Sequence, residues 1–137
     1  MKTALDSSVL LAVFNAEEDA STWVERLIQA RKEGLLLICE VVLAEIAPAF
    51  KDLRDLESVL ETLGITFDPI EPESAWQAGL TFRDYRRSGG PRKHLIPDFL
   101  IASHAHLQAD RLMAIDRGFF RKYFPELKLI PAPEQEL

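Results

Sequence analysis

Residues 1–10 constrain this chain most: the apolar run 2–6 predicts a buried strand ending on Asp6, and a helix capped by Ser7 or Ser8 is expected over 8–15. A carboxylate at such a junction lies at the carboxyl edge of a sheet, where open α/β folds bind ligands. The alternation continues down the chain. Ala20, Trp23, Val24, Leu27 and Ile28 recur at helical spacing, Gly34 marks the stop, and 35–39 reads as a second buried strand.

Residues 41–50 are apolar around the whole helix circumference except at Glu45, which predicts burial on every side and a bend at Pro48. A carboxylate in such surroundings needs a cation, a donor or an opening to water. Leu53, Leu56, Leu60 and Leu63 mark the apolar face of a further helix that Gly64 ends, followed by a short strand within 65–70. Residues 72–88 read as a helix packed through Ala75, Ala78, Gly79 and Phe82. A Gly-Gly-Pro loop at 89–91 lies within the most basic segment, 83–94. Pro97 suits the first turn of a helix reaching Ala109, which places Asp98 beside exposed amides. Residues 111–115 form a strand ending at Asp116, 119–124 a short helix and 127–130 a last strand, with a loose tail from Pro131 and Pro133. Strands separated by helices in this way predict an α/β sandwich with a mainly parallel sheet.

With 137 residues, 47% of them apolar, the chain fits a single domain with one core. Its apolar runs fall far short of the roughly 20 residues of a spanning helix, and the first residues lack the order of a secretory signal, so no membrane association and a cytoplasmic location are expected. Cys39, the single cysteine, reads as buried packing. A net charge of -6 argues against a surface coated in basic residues for holding nucleic acid, yet it leaves nucleic acid open as a substrate.

Asp6, Glu45, Asp98 and Asp116 each have an ordinary explanation: helix caps for Asp6 and Asp116, the helix dipole for Asp98, an arginine partner for Glu45. Their combination points further. If the strands ending at Asp6 and Asp116 are neighbours, both side chains reach one rim. Gathered carboxylates repel, and proteins relieve this by protonation or by hard cations. An oxygen-only donor set suits magnesium or manganese rather than zinc, and such ions serve phosphodiester hydrolysis.

The segments LDSSVLL at 5–11, VVLAEI at 41–46, PDFLIASHA at 97–105 and DRGFFRKYFP at 116–125 resemble, in this order, the PIN-domain nucleases, and within them the VapC-type toxins. The resemblance implies a PIN-like three-layer sandwich with a parallel sheet in the order 3-2-1-4-5, flanked by helices. It implies that Asp6, Glu45, Asp98 and Asp116 hold one or two Mg2+ or Mn2+ ions and that RNA is the substrate. It further implies a homodimer and a cognate VapB-like antitoxin. One departure stands out: relatives carry Thr or Ser two positions before the last acid, where this chain has Ala114.

Ser8 reads first as a helix cap, and the resemblance implies a second role near the metal, through a metal-bound water. Arg86, Arg87, Arg92 and Lys93 are candidate phosphate contacts leading toward Asp98, and His94 is a candidate substrate contact. His104 and His106, two apart on a helix, point away from each other and do not form a catalytic pair. Two rival readings remain: a cation-binding PIN-like interaction module without activity, and a haloacid-dehalogenase-like phosphatase. The second would want an aspartate where Ser8 stands.

Overall fold

The computed structural model describes residues 1–131, so the tail expected at Pro133 lies outside the described residues. Five strands, β1 (Lys2–Leu5), β2 (Leu35–Ile38), β3 (Ile65–Phe67), β4 (Arg111–Met113) and β5 (Leu129–Ile130), form one sheet in the order β3-β2-β1-β4-β5. Every neighbouring pair is parallel. Among the described residues seven α-helices flank it: α1 (Ser7–Phe14), α2 (Ala20–Glu33), α3 (Glu40–Ile46), α4 (Leu53–Leu63), α5 (Pro72–Arg87), α6 (Ile96–Gln108) and α7 (Phe119–Tyr123). This is the α/β sheet order that the resemblance implies.

Burial on both faces explains the apolar strands. Ala4, Leu5, Leu36, Leu37, Ile38, Leu112 and Met113 are all buried, each Leu or Ile side chain contributing about 1.5–3 kcal/mol by leaving water. Two glycines permit the connections. At Gly34 a Cβ would stand 1.8 Å from the Met1 carbonyl oxygen, so only glycine lets α2 turn into β2 beside β1. Gly64 ends α4 in the left-handed region at φ 71°, a conformation that costs other L-residues more.

Four local expectations change. The cap of α1 is Asp6, whose carboxylate accepts the Ser8 amide, rather than Ser7 or Ser8. α3 is not buried all round: Val42 and Ile46 are buried, whereas Ala44 and Glu45 are exposed. A helix of under two turns has one packed face, and alanine exposes little apolar area at little cost. Its end at Ile46, followed by a 3-10 turn over Ala47–Ala49, does meet the break expected at Pro48. On α2 the packed stripe is Trp23, Leu27 and Ala30, leaving Val24 and Ile28 exposed. On α5 it is Ser74, Ala78 and Tyr85, whereas Ala75 and Gly79 face outward.

A second, smaller core of Ala78, Tyr85 and Phe99, with Phe82, Phe119, Tyr123 and Phe124 packed on it, joins α5, α6 and α7. A polar latch secures the turn after β3. Buried His104 meets Asp68 Oδ2 through Nε2 at 2.9 Å, and the Gln108 side-chain amide donates to the same oxygen at 3.1 Å. His106, by contrast, is exposed, so the two histidines do point apart.

Candidate active site

The central position of β1 decides where the acids meet. Leu5 is in register with Met113, and the Asp6 amide donates to the Met113 carbonyl at 2.9 Å. β4 stops at Met113 rather than at 115, so Asp116 stands three residues past the strand, in the loop leading to α7. The rim is nevertheless shared. A cavity of about 650 Å³ opens there, and Asp6, Glu45, Asp98 and Asp116 all line it.

Each acid is anchored by a donor close to it. Ser8 Oγ donates to Asp6 Oδ2 at 2.5 Å, and Ser7 Oγ donates to Glu45 Oε1 at 2.9 Å across 38 residues of sequence. The Leu95 amide donates to Asp98 Oδ2 at 3.1 Å, so Asp98 closes the first turn of α6. Asp116 accepts three amides at the start of α7, those of Gly118 at 3.1 Å, Phe120 at 3.0 Å and Arg121 at 3.2 Å. The capping roles are thus real for Asp6 and Asp116, and they position these carboxylates on the rim.

Electrostatics tie three of the acids together. Burial pushes the Asp6 carboxyl above its usual range and the Asp98 charge adds to this, against the opposing pull of the Ser8 hydroxyl and amide. Glu45, although at the exposed mouth, is also pushed up, first by partial desolvation and then by Asp6 and Asp98, with Ser7 opposing. Among the described residues no group of three or more His, Cys, Asp or Glu side chains is close enough, as placed, to hold a metal ion. Like charges in a partly desolvated cavity repel, and separate anchors on separate elements hold them apart. Each ionised carboxylate still has acceptor capacity beyond its anchor. An all-carboxylate set facing one cavity therefore fits a hard divalent cation.

The basic residues sort themselves by reach. Lys93 lines the cavity; Arg86 donates to the Gly90 carbonyl at 2.7 Å and pins the 88–95 loop, while Arg87 and Arg92 lie outside the lining. Arg117 and Lys122 line it instead. Arg117 follows Asp116 in the strand-to-helix connection and Lys122 lies within α7 just beyond it; their closeness in sequence to an acid expected on the rim is the signal that would have found them. His94 also lines the cavity, with Nδ1 3.8 Å from Asp98 Oδ2 and its ring stacked on Phe119. Ser8 bridges two loops: besides bonding Asp6, its Oγ accepts the Ile115 amide at 3.1 Å. Ala114 is buried and offers no hydroxyl, whereas the Ser8 hydroxyl of α1 meets the Ile115 amide, next to Asp116 in sequence.

The sequence model of the PIN domain matches residues 3–125. The chain belongs to the PIN-domain family. Its members are nucleases, which removes the phosphatase alternative. No curated protein matches the chain. Among solved structures, it is similar to VapBC2 from Rickettsia felis bound to a DNA fragment from its promoter, with 21% identity, 94% and 97% of the two chains covered and a TM-score of 0.72. VapBC-1 from nontypeable Haemophilus influenzae follows the same fold at 19% identity, with 94% and 96% covered and a TM-score of 0.69. DNA-bound VapBC from Salmonella typhimurium does so at 20% identity, with 94% and 96% covered and a TM-score of 0.63. At these identities the likeness carries the PIN fold.

Proposed function

We propose that this PIN domain is a Mg2+- or Mn2+-dependent endoribonuclease and the toxin of a toxin-antitoxin pair. One observation carries the reading: four carboxylates from four separate segments line one cavity at the sheet's carboxyl edge, where burial and the Asp98 charge raise the proton affinity of Asp6, and burial with the charges of Asp6 and Asp98 raises that of Glu45. Asp6, Glu45, Asp98 and Asp116 would hold one or two ions there. When bound, such ions supply a more acidic water and stabilise charge developing on a phosphate. The chain's own residues do the positioning. Ser8 orients Asp6, Ser7 orients Glu45, and the amides at the start of α7 orient Asp116. Lys93, Arg117 and Lys122 hold phosphates on either side of the cut and lower the repulsion between an acidic cavity and an anionic strand.

Single-stranded or loop RNA is the substrate class, because a rim site reaches an unpaired strand directly. Hydrolysis by water leaves a 5′-phosphate and a 3′-hydroxyl. The VapBC complexes that share the fold support a VapB-like antitoxin as partner, and a homodimer acting in the cytoplasm belongs to the same proposal. No helix among the described residues is long and apolar enough to cross a membrane. Because no three of the acids are close enough, as placed, to hold an ion together, one second reading stands, a PIN-like interaction module without turnover. Incubating the purified protein with mixed RNA and Mg2+ or Mn2+ separates the two. Cleavage that is lost in folded Asp6→Asn and Asp98→Asn variants supports the nuclease, whereas an inert wild type under both metals leaves the module.

A further inference from the structure

Part of the cavity wall is aromatic. His94 and Phe119 stack with ring centroids 3.9 Å apart and planes 25° from parallel, and Tyr123 lines the cavity beside them. The imidazole also adjoins the acids, its Nδ1 3.8 Å from Asp98 Oδ2. Apolar ring faces beside a charged cavity pay for their contact with water, and the acids have no use for them. The rings are held from behind. Phe99 packs on Phe119 at 5.4 Å, and the Tyr85 ring meets both His94, at 6.3 Å, and Tyr123, at 4.9 Å. The Tyr85 hydroxyl donates to the Pro91 carbonyl at 2.5 Å, and Arg86 bonds the Gly90 carbonyl, so the loop that carries His94 is tied to α5. Lys122 lies 5.2 Å from the Tyr123 ring centre, adding a cation at the platform's edge.

Resting on the ribonuclease reading above, we infer that the His94–Phe119 stack with Tyr123 forms a nucleobase subsite that receives the base of a nucleotide next to the phosphate cut at the acids. The pairing of parts is that of a single-strand site, in which cations track the backbone and aromatic side chains stack bases. Because the rings are already packed in place, binding loses little conformational freedom. Stacking reads ring area rather than hydrogen-bond pattern, so the subsite prefers purines over pyrimidines modestly and tolerates either.

The test measures anisotropy of labelled single-stranded RNA without catalytic metal, together with cleavage in its presence, for an intact oligonucleotide and for one with a single abasic position beside the cut. Wild type should bind the abasic strand about tenfold to a hundredfold more weakly than the intact one. His94→Ala and Phe119→Leu should weaken binding of intact RNA to a similar degree and add little on the abasic strand, and His94→Phe should restore the discrimination. The abasic arm uses unaltered protein, so it stands even if a variant folds poorly. Cleavage by a wild type that treats intact and abasic strands alike overturns the subsite and leaves the ribonuclease reading in place. A wild type that neither binds nor cuts RNA overturns both.

Discussion

Ser8 Oγ accepts the backbone N–H of Ile115 at 3.1 Å, joining two loops 107 residues apart in sequence. The same oxygen donates to Asp6, so one hydroxyl sets the spacing between the loop that carries Asp6 and the loop that carries Asp116. Ser8→Ala leaves the Ile115 amide, which is partly buried, without this acceptor. A loss of about 1–2 kcal/mol is expected in chemical denaturation, together with weaker Mn2+ binding by calorimetry. Unchanged affinity for Mn2+ would show that the bridge serves stability alone.

The acids act against stability when no cation accompanies them. Asp6→Asn keeps an oxygen to cap α1 and removes a desolvated charge facing Asp98, so the metal-free variant should be more stable than wild type at pH 7.5 by about 1 kcal/mol. The sign follows from linkage. A carboxyl with a raised folded-state pKa binds protons more readily when folded, so its penalty is complete above that pKa and disappears below the ordinary value of 3.8. Glu45, with an ordinary value of 4.5, acts in the same direction. The advantage of Asp6→Asn over wild type should therefore shrink as pH falls from 7.5 toward 4, as read from denaturation midpoints. An advantage that grows on acidification would contradict the desolvated charge.

Cations should reverse that penalty. Mn2+ at a hundredfold excess over its Kd should add about 2.7 kcal/mol to wild type, seen as a rise in the melting temperature that grows with the logarithm of the Mn2+ concentration and that chelator abolishes. Asp6→Asn and Asp98→Asn should lose most of this rise. An equal rise in all three proteins would place the ion elsewhere.

Lys93, Arg117 and Lys122 line the cavity, whereas Arg86, Arg87 and Arg92 do not. Replacing the first three by Gln should weaken single-stranded RNA binding and flatten the slope of log K against log salt by about 2, from roughly 0.7 per phosphate contact. Replacing Arg87 and Arg92 should change the slope far less. If the two sets behave alike, the cavity is not where the backbone runs.

His104 is a structural histidine. It is fully buried and bonded to Asp68, so His104→Ala opens a cavity and takes one of the two partners of that carboxylate oxygen. Destabilisation of about 2–4 kcal/mol is expected, with cleavage per folded molecule unchanged well below the new melting temperature. A specific loss of turnover would instead assign His104 a part in the chemistry.

The alternation of strands and helices was legible because it rests on short-range signals, whereas the sheet order and the grouping of the four acids were legible through the PIN resemblance. Apolar runs of strand length, separated by helices, leave few topologies for a parallel sheet, and carboxylates at segment ends repeat a pattern that the PIN resemblance also contains. Helix faces were harder to read. Val24, Ile28, Ala75 and Gly79 share the periodicity of packed residues, yet they face outward, because periodicity does not say how wide a stripe the neighbouring layer covers.

By itself the sequence determined the α/β alternation and the resemblance to the family, and through that resemblance the expectation that Asp6, Glu45, Asp98 and Asp116 share one edge. Only the tertiary structure decided that Ser8 ties the Asp6 and Asp116 loops together, that Arg86 serves its own loop, and that Arg117 and Lys122 reach the cavity with the His94–Phe119 stack. The reason is reach. Local pattern specifies which element a residue belongs to, whereas contacts between loops depend on how elements distant in the chain are set against one another, and no spacing along the chain encodes that distance.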